Sequence, residues 1–180
     1  LPMGADRACG RACAPLQPSA GGASGRHGRG VRALAGGYSP LPAEQVSLPH
    51  PLSYPSGGEQ AHGFFYAAHI DERHPPLVVF IHGGPTSACY PVFDPRIQYW
   101  TQRGFAVADL NYRGSSNHGR AYRHALHLRW GESDVQDACA VVEYLAAQGR
   151  SDAQRAFVRG GSAGGYTVLC ALAFAKVFRA

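Results

Sequence analysis

Residues 156–165 read AFVRGGSAGG, and residues 166–175 continue with the apolar run YTVLCALAFA. Ala156–Gly160 is short, apolar and closed by glycine, the pattern of a buried strand. From Ala163 to Ala175 the chain is apolar nearly all round, which predicts a buried helix. Gly160-Gly161-Ser162-Ala163-Gly164 is therefore a G-x-S-x-G at a strand-to-helix junction. So tight a turn admits only small neighbours, and here they are Gly and Ala. The turn holds the Ser162 hydroxyl out above the sheet, beside the amides and positive end of the following helix. Ser162 is the candidate nucleophile, and the Ala163 N–H a candidate donor to a developing oxyanion. The plain alternative is a glycine-rich turn with no chemistry.

Upstream, Leu77–His82 (LVVFIH) is a continuous β-branched run suited to a strand covered on both faces. His82-Gly83-Gly84-Pro85 follows it directly. Glycines there let main-chain amides approach a substrate carbonyl, which makes the Gly84 N–H the second oxyanion donor. Asp94-Pro95 marks a helix start, with Ile97 and Trp100 sharing a face and Gly104 ending it. Phe105–Leu110 reads as another buried strand. A Gly-, Ser- and Asn-rich loop spans 111–119. Ser133-x-x-Gln136 resembles a capping box, ahead of the helical stripe Val135, Ala138, Val142, Leu145 and Ala146. Further upstream, Gly63–His69 predicts an antiparallel strand that opens the sheet. The prolines between 40 and 55 predict an extended approach, and Gly57-Gly58 a turn. Strands alternating with helices predict an α/β fold: a mostly parallel sheet covered on both faces, joined by right-handed crossovers.

The 180-residue chain carries a formal net charge of +5. Residues 1–38 supply five Arg against one Asp, so the excess sits in a Gly-, Ala- and Arg-rich segment without periodicity. That segment reads as disordered or as a remnant of an upstream unit, with the domain occupying 39–180. Residues 1–37 contain no aromatic residue, which speaks against a nucleic-acid surface. No stretch is long enough to cross a membrane. The five Cys are irregularly spaced, with Cys139 and Cys170 read as small buried residues, so a reducing, cytoplasmic setting is expected. His124 and His127 read as surface residues and no metal site is expected. His82 is expected to be structural. Asp109 is expected to bond to the 111–116 loop. Arg113 and Arg159 flank the site, as loop anchors or as partners of a peptide carboxylate.

HGGPTS at 82–87, IQYWTQRGFAVADLNYRGSSNHGRAYR at 97–123, WGESDVQDACAVVEYLAAQG at 130–149 and RGGSAGGYTVLCAL at 159–172 together resemble the catalytic domain of the prolyl oligopeptidase family. The similarity runs from about Tyr38 to Ala180, and its nearest branch is that of acylaminoacyl-peptidases and dipeptidyl-peptidase-like enzymes. The resemblance implies an α/β-hydrolase fold. It implies a serine peptidase that cleaves short peptides without a cofactor, with Ser162 acylated and Gly84 and Ala163 in the oxyanion hole. Family members carry a β-propeller ahead of this domain, and residues 1–38 do not resemble propeller blades. A carboxylesterase or lipase of the same fold would share every motif, because elbow and oxyanion loop do not encode the leaving group.

The triad of this fold runs Ser, acid, His. Residues 163–180 contain no Asp, Glu or His. The expectation is therefore a domain truncated after its elbow, with acid and base beyond Ala180. The isolated piece is then inactive or a non-catalytic fragment, and the outer edge of its last strand is exposed.

Overall fold

The computed structural model describes residues 41–70 and 73–180, which belong to one compact unit, Ser39–Ala180. The reading of residues 1–38 lies outside the described residues. Five strands form one sheet in the order β1-β2-β4-β3-β5. Strands β1 (His50–Ser56) and β2 (Glu59–Tyr66) make an antiparallel hairpin, and β2 pairs antiparallel with β4 (Ala106–Asn111). Strand β3 (Leu77–Ile81) lies parallel between β4 and β5 (Ala156–Gly160).

The hairpin turns at Gly57-Gly58, both with positive φ, as a two-residue loop with right-handed strand twist requires. β1 was not expected, because Pro51 and Pro55 argue against a strand. Both are exposed, on an edge strand whose core-facing residues are Leu52, Tyr54 and Ser56. An edge tolerates prolines that a central strand would reject.

β3 is buried along its whole length, and its alternate residues feed two cores. Leu77, Val79 and Ile81 pack with Ala138, Val141, Val142 and Leu145 of α3 (Ser133–Ala147). Val78 and Phe80 pack with Ile97 of α1 (Pro95–Thr101) on the opposite face. α1 starts as predicted: the Asp94 carboxylate accepts from the Arg96 amide at 2.8 Å and Pro95 takes the first helical position. A short helix, α2 (Gly119–His124), follows the 111–119 loop.

Four local expectations fail, three of them for identifiable reasons. The capping box does not form: Glu132 occupies the N-cap, and the Gln136 amide oxygen instead accepts from Arg113 at 2.7 Å. The last helix, α4 (Ala163–Phe174), buries only Gly164, Thr167 and Ala171. These small residues form the stripe that lies on the sheet. Leu169 and Phe174 stand 68 % and 85 % exposed, because the described residues cover one face of the helix only. The outer edge of β5 is not bare. The Val158 amide donates to the Ala180 carbonyl at 2.8 Å and the Arg179 amide to the Ala156 carbonyl at 2.9 Å, with Phe178 buried beside them. Cys139 and Cys170 are half-buried rather than buried. Among the described residues no helix is long and apolar enough to cross a membrane.

Candidate active site

β5 ends at Gly160 and α4 begins at Ala163, so Gly161 and Ser162 make the whole turn. Ser162 has φ 55° and ψ −123°, a conformation that L residues avoid and that costs about 1–3 kcal/mol. The surrounding glycines sustain it. A Cβ on Gly160 would sit 2.5 Å from the Gly164 carbonyl oxygen, and one on Gly164 would strike the carbonyl oxygens of Ile81 and His82. The helix is thereby drawn against the end of β3, and Ser162 is left exposed at the top of the sheet. Among the described residues its hydroxyl has no hydrogen-bond partner.

The loop after β3 lies against this turn. A Cβ built on Gly83 would come within 3.3 Å of the Ser162 Cβ and 3.9 Å of the Ala163 nitrogen. The peptide joining Gly83 to Gly84 therefore abuts the elbow. Gly84 has φ +110°, which favours glycine. Among the described residues neither the Gly84 amide nor the Ala163 amide has an acceptor.

His82 is structural, as expected. Its Nδ1 donates to the Gly83 carbonyl at 2.8 Å, which leaves Nε2 to accept from the Ser115 hydroxyl at 2.7 Å. The ring stacks on Tyr112 with centroids 4.4 Å apart. Burial pulls its pKa down, and the Gly83 carbonyl only partly opposes this, so the neutral ring is favoured. With both nitrogens engaged it is not placed as a base.

The remaining candidates separate. Arg113 is buried against Asp137 and anchors a loop rather than facing a substrate. Arg159 is exposed, its guanidinium 4.7 Å over the Phe80 ring. Asp109 does not bond to the 111–116 loop. It faces Cys89, whose thiol donates to its main-chain carbonyl at 3.3 Å, while Asn111 holds the Cys89 main chain through both amide atoms. Burial raises the Asp109 carboxyl to about 7. It lines a cavity of about 360 Å³ that Phe80, Cys89, Arg159 and Gly161 also border. His124 and His127 are exposed beside an open groove with Pro85 and Trp130.

The fold of this chain is shared with known proteins. Residues 91–180 match the model of the prolyl oligopeptidase family. The chain belongs to that family. Among its curated members, dipeptidyl peptidase family member 6 of Caenorhabditis elegans is 35 % identical over 98 residues, covering 54 % of this chain and 13 % of that protein. Dipeptidyl aminopeptidase BIII of Pseudoxanthomonas mexicana is 32 % identical over 99 residues, covering 55 % and 14 %. Among solved structures, a puromycin hydrolase superposes with a TM-score of 0.75 at 40 % identity, over 78 % of this chain and 22 % of that one. The matched region thus spans about a seventh of the curated relatives and about a fifth of the solved neighbour. The α/β-hydrolase architecture follows from the family and from the sheet.

Proposed function

We propose that this chain supplies the nucleophile and oxyanion hole of a serine peptidase acting on short peptides. The carrying observation is the strained Ser162 backbone at the top of β5, with the Gly83-Gly84 peptide against it. The Ser162 oxygen attacks the scissile carbonyl and forms a C–O bond, while its proton passes through a base to the leaving amine. The C–N bond breaks and an acyl-enzyme remains, which water hydrolyses. The negative oxygen of each tetrahedral intermediate meets the Gly84 and Ala163 amides, which have no acceptor among the described residues and are free for it. His82, with both ring nitrogens engaged, is not that base, and residues 163–180 contain no Asp, Glu or His. Short peptides as substrates rest on the names of the dipeptidyl and acylamino-acid-releasing relatives. A cytoplasmic setting goes with this reading, supported by the free thiols of Cys89, Cys139 and Cys170.

The test is hydrolysis of aminoacyl and dipeptidyl amides, beside the matching esters, by the complete gene product. Amide cleavage that falls at least about 1,000-fold in Ser162→Ala is expected. Unchanged amide cleavage in that variant removes Ser162 from the reaction, and cleavage of esters alone makes the protein an esterase.

A further inference from the structure

The oxyanion-hole loop is short of internal support. It follows a strand, contains two consecutive glycines, and makes few hydrogen bonds of its own. Its support comes from Tyr112–Ser116, the segment after β4. The Tyr112 hydroxyl lies 3.2 Å from the His82 carbonyl and 3.0 Å from that of Pro85, and donates to this pair. The Ser115 hydroxyl donates to His82. The Ser116 amide donates to the Ser87 carbonyl at 2.9 Å, and its hydroxyl to the Thr86 carbonyl at 2.5 Å. Every one of these bonds grips residues 82–87.

Arg113, inside the same segment, reaches the opposite way. Its amide donates to Asp137 Oδ2 at 2.7 Å and its Nε to Asp137 Oδ1 at 2.9 Å. Its Nη2 lies 2.7 Å from Asp137 Oδ1 and donates to Gln136 Oε1 at 2.7 Å. Ser56 adds a hydroxyl that donates to Asp137 at 2.6 Å. The Arg113 and Asp137 side chains are 2 % and 0 % exposed. One carboxylate thus holds both the side chain and the main chain of Arg113, tying residue 113 to α3 and to the β1 edge.

We infer that the buried Arg113–Asp137 pair is the positioning device of the oxyanion hole, setting the Gly83-Gly84 peptide through Tyr112, Ser115 and Ser116. Arg113 is a positioning residue and touches no substrate. This inference rests on the peptidase reading above for its kinetic consequence, but the mechanical linkage stands apart from it. Loosening the clamp leaves substrate binding and the Ser162 hydroxyl in place. It misdirects an amide that matters when the oxyanion forms, so kcat falls and KM does not.

The test uses the complete gene product carrying Ser115→Ala, Arg113→Lys and both together. Each single variant is expected to lower kcat by up to about 100-fold with KM within about threefold, the effect of an ångström-scale misplacement. The double variant is expected to lose no more than the worse single, because both act through one segment. Gln136→Ala removes one guanidinium acceptor at a solvent-facing position. It is expected to act in the same direction by about threefold, and it serves where R113K does not fold. Amide hydrogen exchange is the second measurement, with faster exchange expected at Ser116, whose amide bonds to the Ser87 carbonyl, and unchanged exchange in β3 and β5. Unchanged exchange of the Ser116 amide, or kcat losses that multiply in the double variant, would overturn the inference. A wild-type protein without hydrolytic activity refutes the peptidase reading instead, and exchange of the Ser116 amide still decides the linkage.

Discussion

Replacing Gly164 by Ala tests whether the elbow depends on close approach of α4 to β3. The new methyl would meet the carbonyl oxygen of Ile81, and that of His82 at 2.8 Å. Both acceptors are main chain at the end of a strand paired on each side, so they have little freedom to yield. Ordinary contact needs about 3.5 Å, which makes the helix retreat by about 1 Å. Overpacking of this kind costs about 1–3 kcal/mol. Alanine returns about 1 kcal/mol through its better helix propensity. The net loss is about 0–2 kcal/mol, modest enough for the fold to survive. The reactivity loss is larger. Ser162 caps the same helix and shifts with it, and a displacement of about 1 Å costs about 100-fold in a positioned reaction. Urea unfolding of the complete gene product, beside the rate of its labelling by a fluorophosphonate, measures the two effects separately. A Gly164→Ala protein of undiminished stability that labels at the wild-type rate would show that the contact does not set the nucleophile.

Three further outcomes follow from polar side chains. Burial raises the Asp109 carboxyl from 3.8 to about 7, so the folded state holds its proton through a range where the unfolded chain has lost it. Stability therefore declines from about pH 4 to pH 7, and at about 1.4 kcal/mol per pH unit the cost above pH 7 is on the order of 4 kcal/mol. Asp109→Asn is expected to raise the melting temperature at pH 8 and barely change it at pH 4; an equal shift at both would deny the carboxyl this role. His62 and His118 stack with centroids 4.2 Å apart. Burial is the main cause that lowers both pKa values, and His62 further lowers that of His118. Their contribution is present above about pH 6.5 and lost as pH falls below it, so His118→Phe, which keeps the stack, should flatten the acid limb of a stability–pH curve. The Thr167 hydroxyl donates to Asp134 Oδ2 at 2.5 Å, where the carboxylate is fully buried. Thr167→Val keeps the shape and strands that oxygen, with an expected loss of about 1–3 kcal/mol in urea unfolding.

The parallel part of the fold was legible because its signals are local. β3 is an unbroken apolar run, Asp94-Pro95 caps α1 where expected, and the alternation of strand and helix fixes the layering. Ser162, Gly83 and Gly84 were legible because tight turns restrict residue type. What escaped depends on partners distant in sequence. Pro51 and Pro55 are tolerated only because β1 is an edge. Gln136 abandons the helix start because Arg113 arrives from the other side of the fold. The apolar pattern of α4 says that its faces suit burial, and has no means of saying which of them the chain covers. Arg113 was singled out as a loop anchor or a carboxylate ligand, and only the position of Asp137 chooses between these.

A crystal structure of the complete gene product after reaction with a phosphonate ester addresses the elbow most directly. It should show phosphorus bonded to Ser162 Oγ, with one phosphoryl oxygen about 2.7–3.1 Å from the nitrogens of Gly84 and Ala163. An unmodified Ser162, or a phosphoryl oxygen turned to solvent away from both nitrogens, would contradict it.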